Sequence, residues 1–164
     1  MKINQWIFLG LIVLSILQWI HFYPLLPDRI AHQFDTRGNP VNWSSKQDIL
    51  WMMIAVKGII LLIFAVLPAT ANRIPRIWWN LPNRDYWLAD ERKKETISTV
   101  KNALTWLGCV VLLFIMLTNQ SVFNYNIPES NRIPIPDMVY IFICFLLFIG
   151  GWIWMLLRCF YKNS

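Results

Sequence analysis

The residues best suited to chemistry are concentrated in one polar segment, residues 26–46, LPDRIAHQFDTRGNPVNWSSK. It carries Asp28, His32 and Asp35, and zinc accepts both carboxylate and imidazole ligands. His21, at the end of the preceding apolar run, would add a fourth ligand. Their spacing matches no diagnostic metal motif. We therefore expect no cofactor, and zinc bound by Asp28, His32 and Asp35 is the alternative.

The same segment offers little for catalysis. Ser44 and Ser45 are nucleophile types, but no neighbouring set of residues identifies either as activated. His32 would suit a pH sensor, because imidazole titrates near neutral pH. We expect no catalytic residue and a non-enzymatic protein. A metal-dependent membrane enzyme acting through this segment is the competing hypothesis.

Four long apolar runs must position this segment. The chain has 164 residues, of which 57% are hydrophobic and 15% charged, whereas soluble domains carry about 25% charge. A membrane-spanning helix needs roughly 20 apolar residues. The predicted fold class is all-α, a polytopic membrane protein with a single domain at residues 1–164. Its four transmembrane helices are predicted at residues 3–22, 49–67, 103–123 and 138–157.

The distribution of lysine and arginine predicts the orientation of these helices. With both termini on one side, ten basic residues flank that side and four flank the other. Cytoplasmic segments carry the excess of Lys and Arg. We therefore expect cytoplasmic termini, an outer loop at residues 23–48 and a basic aromatic inner loop at residues 68–102. The net charge of +6 follows from this bias, so the expected partner is the lipid bilayer and not nucleic acid.

Local signals predict that the outer loop is folded. A short helix is predicted from Asp28 through Phe34, with Asp28 and His32 on one face. The sequence DTRGNP predicts a turn in which Gly38 takes a positive φ. Ser45, with an acid three residues later, predicts the N-terminal cap of the second membrane helix. We expect this loop to form a cap over the outer helix ends.

The inner loop alternates aromatic and basic residues, which suits the headgroup region of a bilayer. Pro75 and Pro82 exclude one long helix there. The charge order after Ala89 predicts that the third helix begins near Asp90, well before its apolar run. We interpret the loop as an interfacial elbow between the second and third helices. A docking surface for a cytoplasmic regulator is the alternative.

Lys57 lies within the second apolar run, where a charge costs roughly 3 kcal/mol. At about 1.5 Å per residue it lies some 13 Å below the outer helix end. Ser15 and Gln18 of the first helix are its predicted companions. Lys57 is either a snorkelled lysine hydrogen-bonded between helices, or the mark of a polar pocket for an anion, a lipid headgroup or a peptide carboxylate. A small transporter or channel subunit is a further alternative.

The segment YPLLPDRIAHQFDTRGNPVNWSSK closely resembles a bacterial membrane domain of unknown function that occurs in the family of the sporulation-delaying-toxin immunity protein. Gln33 is a departure, because many members have the His and Phe adjacent. The immunity protein for which that family is named also has further membrane helices after this domain. The matching positions are Tyr23, Pro24, Leu26, Pro27, Asp28, Ile30, His32, Phe34, Asp35, Gly38, Pro40, Trp43, Ser45 and Lys46.

This resemblance implies a bacterial cell-membrane protein that gives immunity to, or senses, an extracellular membrane-active peptide. It also implies signalling to a cytoplasmic regulator. No catalytic residues follow from it. We expect a ligand or peptide to contact the following residues of the outer loop and second helix: Asp28, His32, Asp35, Trp43 and Lys57.

Overall fold

A computed structural model describes residues 2–35, 37–131, 133 and 137–161, without the side chain of Arg76. It contains four helices that are long and apolar enough to cross a membrane, which confirms the predicted fold class. Arg132 and Lys162, used in the charge count, lie outside the described residues. The four spans are Ile3–Leu25, Lys46–Arg73, Asp90–Asn126 and Met138–Tyr161.

The first span is α1, Ile3–Phe22, followed by a 3-10 turn at Tyr23–Leu25. The second contains α2, Lys46–Leu61, then a π-helical turn at Leu62–Val66, α3 at Leu67–Thr70 and a 3-10 turn at Ala71–Arg73. After a short α4 at Arg84–Trp87, the third and fourth spans are α5, Asp90–Asn126, and α6, Met138–Tyr161. The predicted start of the third helix near Asp90 is confirmed.

Helices α1 and α5 form a parallel pair at the centre of the protein. Near one end the Asn4 side chain donates to Asn102 Oδ1 at 2.9 Å. Near the other end the rings of Phe22 and Phe123 stack with centroids 5.1 Å apart. Residues near the start of α1 contact residues early in α5, and residues near the end of α1 contact residues late in α5. The two helices therefore run in the same direction.

Helix α2 packs antiparallel against this pair. An inner apolar cluster joins the three helices through Phe8, Ile60, Cys109 and Leu112. At Gly108 the approach is so close that an added Cβ would lie 2.7 Å from Phe64 Cβ and 2.8 Å from the Phe8 ring. The absence of a side chain at this position lets the second span reach α5.

The outer loop folds as a β-hairpin, so the predicted helix from Asp28 through Phe34 is wrong. Strands β1, Arg29–Phe34, and β2, Pro40–Ser45, pair antiparallel, with register shifts beside Gln33. Two other expectations are confirmed. Gly38 has φ +83° in the turn, and the Ser45 hydroxyl accepts the Asp48 backbone N–H at 3.1 Å, capping α2.

The inner loop is a chain of short turns held against α5 and α6. It contains a 3-10 turn at Arg76–Trp78 and α4, in agreement with the helix-breaking role predicted for its prolines. The indole N–H of Trp87 donates to the Phe160 carbonyl at 3.1 Å, which ties the loop to the end of α6. Helix α6 itself packs on α5, where Trp152 donates to the Ala103 carbonyl at 3.2 Å.

Candidate functional site

One side chain of α5 hydrogen-bonds to the backbone of the outer hairpin. Asn126 Oδ1 accepts the Ala31 backbone N–H at 2.9 Å, and Asn126 Nδ2 donates to the Ala31 carbonyl at 2.8 Å. The amide thus pairs with both backbone groups of Ala31, as a neighbouring strand would. Ile30 and Ala31 are both fully buried. The hairpin is therefore a docked element, as expected for a folded cap.

An outer apolar cluster fills the space beneath the hairpin. The Trp19 ring meets the Phe123 ring edge-on with centroids 4.9 Å apart, and the hairpin contributes Ile30 from above. The segment immediately below the hairpin is thus apolar, and Lys57 lies deeper. The members of the cluster are Trp19, Phe22, Leu26, Ile30, Ile49, Phe123 and Ile127.

The outward side of the hairpin presents strand β2. The sheet has two strands, and within the described residues no third strand lies beside β2. Val41 is 63% exposed and Trp43 is 44% exposed. Both are apolar side chains of an edge strand. An edge strand can pair with an extended peptide, and here the peptide would replace the hydrogen bond that the Trp43 backbone N–H donates to Asn42 Oδ1 at 2.9 Å.

The structure does not bring the predicted metal ligands together. Asp28 precedes β1 and pairs with Lys46 at 3.2 Å, whereas Asp35 lies in the turn at its other end. A strand rises about 3.3 Å per residue, so these two carboxylates lie roughly 20 Å apart. Within the described residues no three His, Cys, Asp or Glu side chains form a metal-binding group.

Neither histidine belongs to a group of metal ligands among the described residues. His32 lies at the register shift of the hairpin, and its Nδ1 atom is buried without a hydrogen-bond partner among the described residues. The His21 ring packs edge-on against Phe22, with centroids 4.8 Å apart. His21 therefore adds an aromatic contact at the end of α1.

Asp35 organises the tip of the hairpin. Its Oδ1 atom accepts the backbone N–H groups of Arg37 and Asn39, each at 2.8 Å. Its Oδ2 atom accepts Asn39 Nδ2 at 3.1 Å. The hydrogen bond from the Asn39 backbone, followed by that from the Asn39 side chain, lowers the pKa of Asp35 below its ordinary value. Asp35 is thus a turn-forming residue in the described structure.

Lys57 is held between α1 and α2. Its Nζ atom donates to the Ser15 carbonyl at 3.2 Å and lies 5.7 Å from the centroid of the Trp19 ring. The predicted contact with Ser15 is thus present, through the backbone. The other predicted companion, Gln18, instead donates to Met116 O and Gln120 Oε1, each at 3.0 Å.

Two further buried donors lie on α1 and α5. Trp19 and Asn119 are each 5% exposed, and Trp19 Nε1 and Asn119 Nδ2 have no hydrogen-bond partner among the described residues. Asn119 lies one helical turn before Phe123, the residue that meets the Trp19 ring. Lys57 reaches the same ring. Lys57 of α2 and Trp19 of α1 are therefore in contact, and Asn119 lies one turn of α5 from the ring that Trp19 meets. We call these three groups the donor set, because N–H donors of this kind suit a carboxylate or phosphate oxygen.

The sequence contains only part of this signal. Lys57 is a charge within an apolar run, whereas Trp19 lies near the end of an apolar run, where indole groups commonly mark the bilayer interface. Asn119 is a polar residue within the third apolar run. Only the packing of the helices brings Lys57 to the Trp19 ring.

Comparison with known proteins locates a recognisable segment in this part of the chain. Residues 10–56 match the family described as Domain of unknown function (DUF1648). No curated protein and no solved structure matches the chain. The matched segment runs from α1 through the hairpin and ends in α2, one residue before Lys57. Residues 10–56 thus carry the pattern of an uncharacterised domain, on a scaffold of four helices long and apolar enough to cross a membrane.

Proposed function

We propose that this is a non-enzymatic protein of the bacterial plasma membrane that binds an extracellular membrane-active peptide at its outer hairpin. Binding would give immunity to the peptide or report its presence. The observation that carries the proposal is a docked β-hairpin whose strand β2 has no further strand beside it among the described residues and carries two exposed apolar side chains, Val41 and Trp43. The resemblance of residues 23–46 to the immunity-protein family supports the same function.

Recognition would occur by addition of a strand. An extended peptide pairs its backbone with an open sheet edge, and alternate side chains enter apolar contacts. The anchoring of Ala31 by Asn126 holds the hairpin in place before binding, which reduces the entropy lost on association. Indole groups favour the bilayer interface. The Trp43 side chain therefore suits a peptide that is adsorbed on the outer leaflet.

The donor set of Lys57, Trp19 and Asn119 would receive an acidic group of the bound peptide. Its contact atoms are two N–H donors without described partners and one ammonium group. A carboxylate that enters the bilayer is most stable next to such donors. The hairpin would therefore bind the backbone of the peptide, and the donor set would bind its charge.

The parallel helices α1 and α5 offer a route to the cytoplasmic side. Both run from the inner loop region to the outer hairpin, and α5 contacts the hairpin through Asn126. With the termini in the cytoplasm, as the basic residues predict, a change at the hairpin would be transmitted to the basic inner loop. A cytoplasmic regulator is the proposed receiver of that signal.

The test compares survival and binding for matched variants. Sensitive bacteria expressing the wild type, Trp43→Ala or Lys57→Met at equal membrane levels are challenged with a panel of membrane-active peptides. Trp51→Ala is the control, because Trp51 is 67% exposed near the same membrane surface but lies outside the hairpin. Protection by the wild type and control, and its loss in both test variants, supports the proposal.

Purified protein in lipid nanodiscs provides the second readout. Peptides that are neutralised in cells should bind the wild type and the control directly, and bind Trp43→Ala at least about tenfold more weakly, as expected for loss of one aromatic anchor. If the wild type neither protects cells nor binds any peptide of the panel, the proposal is rejected.

A further inference from the structure

Two neighbouring cavities lie where the start of α5 packs against the end of α6, and they share one wall residue. One has a volume of about 350 Å³ and is lined by charged and polar side chains together with aromatic rings. The other has a volume of about 200 Å³ and is almost entirely apolar. Phe160 lines both. The polar cavity is lined by Arg92, Glu95 and Thr99, and the apolar one by Val100, Leu104 and Leu156.

The order of these cavities along the helices follows the polarity of the bilayer. Both helices contribute residues of the apolar cavity that lie nearer the membrane centre than those of the polar cavity. The first 20 residues of α6 end at Leu157, and they span roughly 30 Å, the thickness of the hydrocarbon core. The polar cavity, with Cys159 and Phe160, therefore lies at headgroup level.

The walls of the site are held by specific contacts. The Trp87 indole donates to the Phe160 carbonyl at 3.1 Å, and the Thr96 hydroxyl donates to the Trp87 carbonyl at 2.8 Å. The guanidinium carbon of Arg92 lies 4.1 Å from the centroid of the Tyr86 ring. These contacts fix one cationic group in the wall of the polar cavity, with Glu95 one helical turn away on α5.

We propose that this pair of cavities binds one phospholipid of the adjacent leaflet, with a phosphoethanolamine headgroup in the polar cavity and an acyl chain in the apolar cavity. Arg92 would bind the phosphate, since guanidinium is a preferred phosphate donor. Glu95 would accept hydrogen bonds from the primary ammonium group. The paired opposite charges favour this headgroup over a purely anionic one. The lipid would bind at the inner loop, independently of a peptide at the hairpin.

The full chain, purified and delipidated in detergent, is titrated with three lipids of identical acyl chains and analysed by native mass spectrometry. The lipids are phosphatidylethanolamine, phosphatidylcholine and phosphatidylglycerol. Only the first has an ammonium group that can donate hydrogen bonds. We expect a one-to-one complex with phosphatidylethanolamine, with affinity roughly tenfold above that for the other two, the scale of one charge-assisted hydrogen bond.

Substitutions test the role proposed for each of the two charged side chains, Arg92 and Glu95. Arg92→Gln should weaken binding of all three lipids, whereas Glu95→Gln should remove only the preference for phosphatidylethanolamine. Lys93→Gln and Glu91→Gln are matched controls, because they change the same charges on the same helical turns and do not line the cavity. Equal binding of all lipids to the wild type, or equal effects in test and control variants, would overturn the proposal. Preferred binding of phosphatidylglycerol would overturn the assigned headgroup.

Cys159 gives a readout that does not depend on mass spectrometry. Its side chain lines the polar cavity and its residue is exposed, while Cys109 is buried. In a Cys144→Ser background, phosphatidylethanolamine at about ten times its dissociation constant should slow the alkylation of Cys159 by a water-soluble maleimide about tenfold, because the rate falls with the unoccupied fraction of sites. Alkylation of Cys159 at an unchanged rate in saturating lipid would place the lipid elsewhere and contradict the proposal.

Discussion

A single ammonium group in the second span shows how little a costly residue can add to the stability of its own fold. Lys57 has one described hydrogen bond, to the Ser15 carbonyl, and a ring contact with Trp19. These contacts contribute about 2–5 kcal/mol, and a charge in the apolar interior costs roughly 3 kcal/mol. The two terms are of similar size, so Lys57 gives the fold little net stability.

We therefore predict that Lys57→Met leaves the stability of the protein equal to or above that of the wild type while it abolishes peptide protection. Replacement of a buried ion by an apolar side chain is often neutral or stabilising, because the cost of the charge is removed together with its contacts. The change in unfolding free energy is the quantity to measure. Thermal unfolding in nanodiscs, followed by gel filtration of the folded fraction, measures it. A variant that is less stable than the wild type would show that Lys57 is a structural residue.

Gly108 is the second residue whose identity is explained by its neighbours. In Gly108→Ala the added Cβ would lie 2.7 Å from Phe64 Cβ, and we predict a loss of roughly 1–3 kcal/mol from overpacking. Gly58→Ala is the matched control, because its Cβ would meet nothing within 4 Å. Comparison of the two unfolding temperatures tests the prediction, and equal temperatures would contradict the described contact between the second span and α5.

At the scale of elements, the hairpin depends on a helix that is far away in the sequence. Asn126→Ala removes both hydrogen bonds to the backbone of Ala31, and the buried groups left unpaired cost about 1–3 kcal/mol each. We predict faster amide exchange throughout residues 29–45, measured by mass spectrometry. Asn124→Ala is the control, since Asn124 bonds Gln120 and Ile133 instead. Equal exchange in both variants would argue against this anchor.

The hairpin tip should respond to acid through Asp35. Its folded-state pKa is lowered from 3.8, mainly by the Asn39 backbone and side chain. A lowered pKa means that the stabilisation is fully present above about pH 4 and is lost as the pH falls through the folded-state pKa. We predict that Asp35→Asn exposes the tip amides at neutral pH. The difference from wild type should vanish in strong acid, after correction for intrinsic exchange rates.

At the scale of the whole molecule, the basic residues predict one orientation of the four spans. The single-cysteine variant Val41→Cys should react with an impermeant thiol reagent added outside intact cells, because Val41 is exposed on the outer hairpin. Cys159, as the single cysteine of a second variant, should react only after the cells are opened. The opposite pattern would reverse the topology, and would also reverse the leaflets assigned to the hairpin and to the lipid site.

Much of the helical architecture could be predicted from local signals. The bounds of α1 at residues 3 and 22 and the start of α5 at Asp90 were predicted as observed. They follow from apolar run length and from the placement of charges at a helix start. The second span extends beyond the predicted residues 49–67, from Lys46 to Arg73. Its ends are polar, so hydropathy alone underestimates the helix.

The hairpin and the donor set could not be predicted in the same way. Residues 28–34 have no clear alternation of polar and apolar residues, because Ile30 and Ala31 are adjacent and both buried. Ile30 joins the outer apolar cluster, while Ala31 bonds to Asn126. Strand formation is strongly dependent on tertiary context. The local pattern therefore favoured a helix that the contacts with α5 exclude.

The sequence by itself determined a membrane protein with four spans, a folded outer segment and a charge within the second apolar run. These properties depend on the transfer of side chains into lipid and on local caps and turns, which short segments encode. The tertiary structure alone decided which residues meet. It brought Lys57 to the Trp19 ring, separated Asp28 from Asp35, and placed Arg92 and Glu95 beside the end of α6. Such contacts depend on how helices distant in the sequence pack, and no local pattern records that.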